Sequence, residues 1–279
     1  MSNFIKFWCL LVFIPISSLS LNLTIPPINC EGNITCGNGE RHYMCMTPQT
    51  QCKPFELLKM NEDKIYNFLL GHNGLRNRVA KQYQIANMNI VHWSIKLQWR
   101  AEIFLKRCKV EPDTCQDNGP LETQINENYL FHHGLIGESW PAHLVRQWFN
   151  EFGYREEWQD FAARRKMGIV GNFSNLIYPL VKLIGCNGAH LPTGYLFVCF
   201  YWPRTLETYE DGFRYGEPCA QCDPKVPACS RVFPGLCGVD MEVSNSASIF
   251  QEDPQHEENT TKNVIRSKHS SHITPSSHS

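Results

Sequence analysis

Cysteine is the residue that most constrains what this chain can fold into. It occurs 13 times in 279 residues, and one copy, Cys9, lies inside an apolar leader. Residues 1–20 carry Lys6 near the start, an apolar core over 7–16 and a small-residue end in Ser-Ser-Leu-Ser, which is the layout of a secretory signal. The remaining cysteines fall into three groups of four: Cys30, Cys36, Cys45 and Cys52; Cys108, Cys115, Cys186 and Cys199; Cys219, Cys222, Cys229 and Cys237. An even count behind a signal implies an oxidising compartment and a disulfide framework, not a set of unpaired thiols.

After cleavage about 260 residues remain, enough for one well-filled core with extensions. The formal net charge of -1 lacks the concentrated positive field of a nucleic-acid binder or a polybasic membrane-surface protein. Beyond the leader no apolar run approaches the ~20 residues that span a bilayer, and no apolar tail suggests a lipid anchor. The expectation is a soluble, exported protein with no cofactor. Asn-x-Ser/Thr sequons at Asn33, Asn172 and Asn259 are candidate glycosylation sites, with Asn22 a fourth close to the mature terminus.

Residues 21–60 are rich in Cys, Gly, Asn and Pro and show no helical or strand period, so they read as a disulfide-held entry extension. Asn61 is placed as an N-cap, with Glu62 and Asp63 complementing the helix dipole. Ile65, Phe68, Leu69, His72, Leu75 and Val79 then follow at helical spacing. A second helix is predicted over 94–108, with Leu97, Ala101, Phe104, Leu105 and Cys108 inward. A third starts at Pro141 and carries Leu144, Val145, Trp148 and Phe149. Residues 195–202, Tyr-Leu-Phe-Val-Cys-Phe-Tyr-Trp, predict a fully buried strand. Residues 180–186 are its expected partner, with Asn187-Gly188 as the turn between them. Helices on an antiparallel sheet make the class α+β.

From 205 to 238 four cysteines stand among prolines, a segment too poor in apolar residues for its own core. Cys219-x-x-Cys222 has zinc-ligand spacing, but in an exported chain disulfides are the favoured reading. Residues 239–279 gain Ser, His, Asn and Thr and are predicted to be a disordered tail, where His269, His272 and His278 read as solvated residues.

The pieces together resemble the CAP superfamily of cysteine-rich secretory, antigen 5 and pathogenesis-related proteins. The matching text is His72-Asn73-Gly74-Leu75-Arg76, then Trp93 leading into the helix that runs up to Cys108. Asn126-Glu127-Asn128-Tyr129 is similar to the family's Gly-Glu-Asn-Leu box, and Trp148-Phe149-Asn150-Glu151 to its Trp-Tyr-x-Glu helix. Ile184-Gly185-Cys186 and residues 195–203 are similar to its closing hairpin. The resemblance covers residues 61–204, the expected CAP domain, and the early four-cysteine segment is similar to the insect antigen-5-related, venom allergen-like branch. It implies a three-layer α-β-α sandwich. It also implies bridges from Cys108 and Cys115 back to the entry extension, and a Cys186–Cys199 bridge in the hairpin.

The resemblance further implies a cleft with two glutamates and two histidines, the histidines able to hold zinc. Glu127 and Glu151 match the glutamates. Where the first histidine is expected, in Cys-x-x-x-His-Asp-x-Cys, the chain has Pro112; where the second is expected, in Gly-His-Phe-Thr-Gln, it has Asn172. Proline has no side-chain donor atom and an amide oxygen is a poor zinc ligand, so the expectation is no metal and no catalytic residue. His132 and His133, close after Glu127, are possible substitutes but read better as surface or loop residues. Asn172 is left with two readings, a glycan over the old cleft or an occluded, bare amide.

Three functions follow. The first is a secreted, non-catalytic protein acting on an unknown extracellular protein or receptor, in fluids such as venom, saliva or male reproductive secretion by family habit. The second is a carrier of sterol or another small lipid, which some family members are. The third is a hydrolase with Glu127 and Glu151 as acid and base. No Gly-x-Ser-x-Gly and no free cysteine stands ready as a nucleophile.

Overall fold

The first helix begins where its cap dictates. In the computed structural model Asn61 Oδ1 accepts from Lys64 N–H at 3.0 Å, and α1 runs over Glu62–Gln82 with Glu62 and Asp63 in its first turn. The structure describes residues 30, 35–36, 38–46, 50–113, 125–151, 171–205, 209–225 and 228–240. Cys9, Cys115, Asn22, Asn33, Asn259 and the tail histidines lie outside them. The chain divides into two units, Met1–Asp240 and Met241–Ser279, and all that follows concerns the first.

Strand β1 is Glu56–Leu57, β2 is His92–Trp93, β3 is Asn126–His132, β4 is Leu183–Leu191 and β5 is Gly194–Trp202. Helix α2 covers Ile95–Leu105, α3 Trp140–Asn150 and α4 Asn172–Ile177. Ser94 Oγ caps α2 through Leu97 N–H at 3.3 Å. That helix ends at Leu105, three residues short of the expected Cys108, which takes a positive φ of 57°. Pro141 lies in the first turn of α3 as expected, although the helix starts one residue earlier.

The sheet order is β1-β4-β5-β3, antiparallel throughout, with β2 added in parallel to β4. The expected partner strand over 180–186 with a turn at Asn187-Gly188 is corrected here. The strand runs from Leu183 to Leu191, and the hairpin closes at Pro192 and Thr193. Asn187 and Gly188 serve packing instead of a turn. Asn187 Nδ2 donates to Glu102 Oε1 at 3.0 Å. A Cβ on Gly188 would stand 2.6 Å from Phe197 Cδ1, closer than side-chain atoms approach, so the glycine lets that ring lie against the strand.

Side-chain alternation along β5 builds the layers. Leu196, Val198 and Phe200 join Leu97, Ala101 and Phe104 of α2 in one core. On the opposite face Phe197 stacks on Trp140 of α3 at 5.0 Å, and Tyr201 meets His72 of α1. With α1, α3 and α4 on that side and α2 on the other, this is the three-layer α-β-α sandwich, class α+β.

The disulfides Cys30–Cys45, Cys52–Cys108, Cys186–Cys199, Cys219–Cys229 and Cys222–Cys237 are present, and Cys36 is also disulfide-bonded. The entry extension is therefore cross-linked to the end of α2, and the hairpin bridge implied by the resemblance is made. The sulfurs of Cys219, Cys222 and Cys237 lie within 4.8 Å of one another, but each is spent in a disulfide. The exit extension is stapled to itself and docks by main-chain bonds: Ala86 N–H to Arg214 O at 2.7 Å, Cys237 N–H to Met88 O at 2.7 Å and Ile90 N–H to Cys237 O at 2.8 Å. Among the described residues no helix is long and apolar enough to cross a membrane.

Candidate functional site

The polar residues of α1 that read most like chemistry are buried and fully engaged. Asn73 holds the 85–93 loop, donating to Val91 O at 3.0 Å and accepting from Val91 N–H at 2.8 Å. Arg76, fully buried, donates to the carbonyls of Asn89 (3.0 Å), Leu176 and Tyr178 (2.9 Å each), Pro179 (3.2 Å) and Val181 (3.5 Å). A permanently charged, five-donor fork suits a ring of carbonyls that no other side chain could satisfy at once.

His72 is the end of a directional chain. Its Nδ1 faces Phe68 O at 2.7 Å and so carries the proton, which leaves Nε2 to accept from Tyr201 O–H at 3.0 Å. Tyr201 in turn accepts from Asn128 Nδ2 at 3.0 Å, and Asn128 Oδ1 accepts from Asn175 Nδ2 at 2.8 Å. Burial lowers the His72 pKa to about 4, against the partial support of the Phe68 carbonyl. The imidazole is neutral and internal, a strut and not a ligand.

Glu127 leaves β3 opposite Phe200, toward the layer of α2. Its Oε1 accepts from Asp113 N–H at 2.6 Å, and its Oε2 is buried with no donor among the described residues. Beside it lies a charge cluster that ties the entry extension to the sandwich. Asp113 Oδ2 accepts from Tyr43 O–H at 2.7 Å and from Arg100 Nη2 at 3.3 Å, while Arg100 Nε donates to the Tyr43 oxygen at 2.9 Å. Arg107 Nη1 stands 3.8 Å from Asp113 Oδ1, beyond hydrogen-bond reach. Burial raises the Glu127 carboxyl to about 8; the Asp113 N–H opposes this, the Asp113 charge adds to it, and Arg107 and Arg100 oppose it. Burial and the Arg100 charge likewise lower His42, next to Tyr43, to about 4.

Glu151 is exposed, and it closes on the start of α4. Asn172 Nδ2 donates to its Oε1 at 2.6 Å, and its Oε2 lies over Gly171, 2.9 Å from where a Cβ would stand. Asn172 O accepts from Asn128 Nδ2 at 2.9 Å, and Glu127 O accepts from Asn175 Nδ2 at 2.8 Å. The structure thus brings the main chain of Glu127 to α4 and turns its carboxyl the other way, toward Asp113. Pro112 is exposed. His132 and His133 lie at the far end of β3, about 16 Å along the strand from Glu127; His133 is exposed, with its ring edge-on to Phe131 at 4.8 Å.

No protein-family profile matches the chain. Venom allergen 5.01 of Dolichovespula maculata is 25% identical over 217 residues, covering 69% of this chain and 92% of that one. Cysteine-rich secretory protein 2 of Cavia porcellus is 25% identical over 189 residues, covering 64% and 72%. Among solved structures, NaASP2 with Zn2+ superposes with a TM-score of 0.51 at 20% identity, covering 64% of this chain and 97% of that one. By sequence the chain is similar to proteins of the CAP superfamily. Venom allergen 5.01 and an antigen 5 like allergen of Culicoides nubeculosus, 26% identical over 161 residues, are among the proteins it resembles.

The CAP zinc does not fit the residues present. Pro112 offers no donor atom, Asn172 Nδ2 is a donor already committed to Glu151, and Glu127 Oε1 is committed to Asp113. That leaves separated carboxyl oxygens, a poor set for zinc. Glu127, Glu151, Pro112 and Asn172 were singled out in the sequence by the resemblance; Asp113, beside Pro112, was not. Tyr43, Arg100 and Asn175 carry no local signal. Their partners lie 13 to 70 residues away in sequence.

Proposed function

We propose that this CAP protein is secreted, non-catalytic, and acts outside the cell by binding another protein or a receptor. The observation that carries the reading is the state of Glu127: one oxygen is taken by the Asp113 N–H, the other is buried, and an exposed proline stands where the zinc histidine is expected. The leader and the disulfide framework support secretion. A carboxyl held protonated to about pH 8 has the charge state of a general acid, but an acid must reach its substrate, and neither Glu127 oxygen is free to do so.

Zinc titration by calorimetry on the purified protein is expected to show no micromolar or tighter binding. Tight binding that disappears in Glu127→Gln would sink the reading. Organic extraction followed by mass spectrometry tests the lipid carrier, since a stoichiometric lipid would replace the interaction reading with that one. Cross-linking pull-down from extracellular fluid is expected to recover a protein partner.

A further inference from the structure

Among the described residues the sheet order leaves β3 at an edge, with β5 on one side only. In an antiparallel ladder successive residues turn their main-chain N–H and C=O to alternate sides. Glu127 O turns away from β5, since it accepts from Asn175 Nδ2. Tyr129 and Phe131, two and four residues on, share that outward direction. Helix α4 therefore closes the edge at Glu127, and among the described residues nothing takes up the outward groups of Tyr129 and Phe131. Burial tells the same story. It alternates over the first residues of β3, and then every residue from Tyr129 to His132 is half-buried.

Edge strands commonly carry Lys, Pro or a bulge that discourages further pairing. The stretch Tyr129-Leu130-Phe131-His132 has no lysine or proline, and it pairs with β5 residue for residue without a bulge. Just beyond the strand Leu135 is 95% exposed. The base of that turn is held by Lys64 Nζ, which donates to Glu138 O at 2.9 Å and to Glu138 Oε2 at 2.6 Å.

We infer that the open edge at Tyr129 and Phe131 is the docking site for an extended segment of a partner protein, which adds as a strand beside β3. The inference rests on the protein-interaction reading above. Two outward residues offer two N–H and two C=O groups in a row, and an extended backbone is what presents the matching row. Tyr129 and Phe131 flank the edge on one face, Leu130 and His132 on the other. The segment that fits carries apolar or aromatic side chains at alternate positions, and no proline where it must donate. A second copy of this chain fits worse. The open edge spans about 7 Å, whereas a stable dimer buries on the order of 1,000 Å² or more.

The test uses the full-length secreted protein and random short peptides displayed as a library. Hydrogen exchange is followed residue by residue on the free protein and with a selected peptide at saturation. In the free protein the Tyr129 and Phe131 amides are expected to exchange at least about tenfold faster than those of Leu130 and His132, which face β5. The peptide is expected to slow the two outward amides by about tenfold or more, and Tyr129→Pro, which removes an outward donor and spares the β5 ladder, to weaken binding about tenfold. Should that variant misfold, the exchange data on the unaltered protein still decide. Outward amides already protected in the free protein, or a library that yields no binder, would overturn the inference. So would a peptide that protects only other amides, which leaves the interaction reading standing. Concentration-dependent protection together with a dimer in sedimentation would assign the edge to a second copy and equally overturn it. The interaction reading falls by a different result, the stoichiometric lipid.

Discussion

Arg76 and Glu127 are both ionisable groups drawn into the protein, one toward each face of the same sheet, and their surroundings differ in completeness. Every nitrogen of the Arg76 guanidinium meets a carbonyl, and the neighbouring His72–Tyr201–Asn128–Asn175 chain has a donor for each acceptor. Around Glu127 one carboxyl oxygen and Arg107 Nη1 are buried without a hydrogen bond among the described residues. A group that builds the fold is satisfied by the fold alone. Glu127 keeps its place in the strand with one carboxyl oxygen short of a donor among the described residues. The difference separates a satisfied buried charge from an incompletely satisfied one on the two faces of one sheet.

The comparison breaks most readily at Arg76. Arg76→Met would strip the carbonyls of Asn89, Leu176 and Val181 of their side-chain donor at roughly 1–3 kcal/mol each, while Tyr178 O and Pro179 O keep the N–H groups of Val181 and Asn89. The variant is expected to fail to fold, read as loss of secretion and of a cooperative thermal transition. A stable, secreted Arg76→Met would refute the scaffold role. Next in size is Asp113→Ala, which strips Tyr43 and Arg100 of their shared acceptor. Roughly 3–5 kcal/mol is expected, measured by denaturant unfolding, and a loss under about 1 kcal/mol would mean that the disulfides alone hold the entry extension.

Tyr201→Phe interrupts the buried chain at one link and is expected to cost about 1–2 kcal/mol, with His72 left without a donor to Nε2. The acid limb of the unaltered protein's stability belongs to the same chemistry. His72 and His42 have folded values of about 4 against an ordinary 6.5. The unfolded chain therefore binds more protons between those values, and stability present above pH 6.5 is lost as pH falls toward 4.

The smallest effect is the most diagnostic. Glu127 lies above its ordinary 4.5, at about 8. Its contribution to stability is whole below pH 4.5 and is lost as pH rises through 8. Glu127→Gln, which keeps an oxygen for the Asp113 N–H and cannot ionise, is expected to be more stable than the unaltered protein above pH 8 by about 1 kcal/mol. Calorimetric melting at several pH values would show it, and a destabilised variant at alkaline pH would mean that the carboxylate has a partner.

Helix α1 was legible because Asn61, the acidic first turn and the apolar spacing act locally, and the structure follows them to the residue. That Pro112 and Asn172 stand where the resemblance expects histidines is a reading of motif positions, which needs no coordinates. The end of β4 was misread for a physical reason. Asn-Gly favours a turn when nothing else claims it, and here Glu102 and the Phe197 ring both claim it. The Tyr43–Asp113 contact joins residues 70 apart in sequence, and no periodicity or propensity speaks across such a distance. The extension that read as loops held by disulfides is also held by ions.

The docking of the exit extension has a mechanical corollary. Cys237 exchanges main-chain bonds with Met88 and Ile90, and Ser230 O–H together with the N–H groups of Arg231 and Val232 grips the Asp240 carboxylate. A pull on the chain from beyond Asp240 would meet that carboxylate first, then the 86–90 loop, and then the Asn89 carbonyl that Arg76 holds. The load reaches those hydrogen bonds at Cys237, where the Cys222–Cys237 disulfide shares it, while Cys219–Cys229 lies further back. The far end of that path is the central arginine of the sandwich.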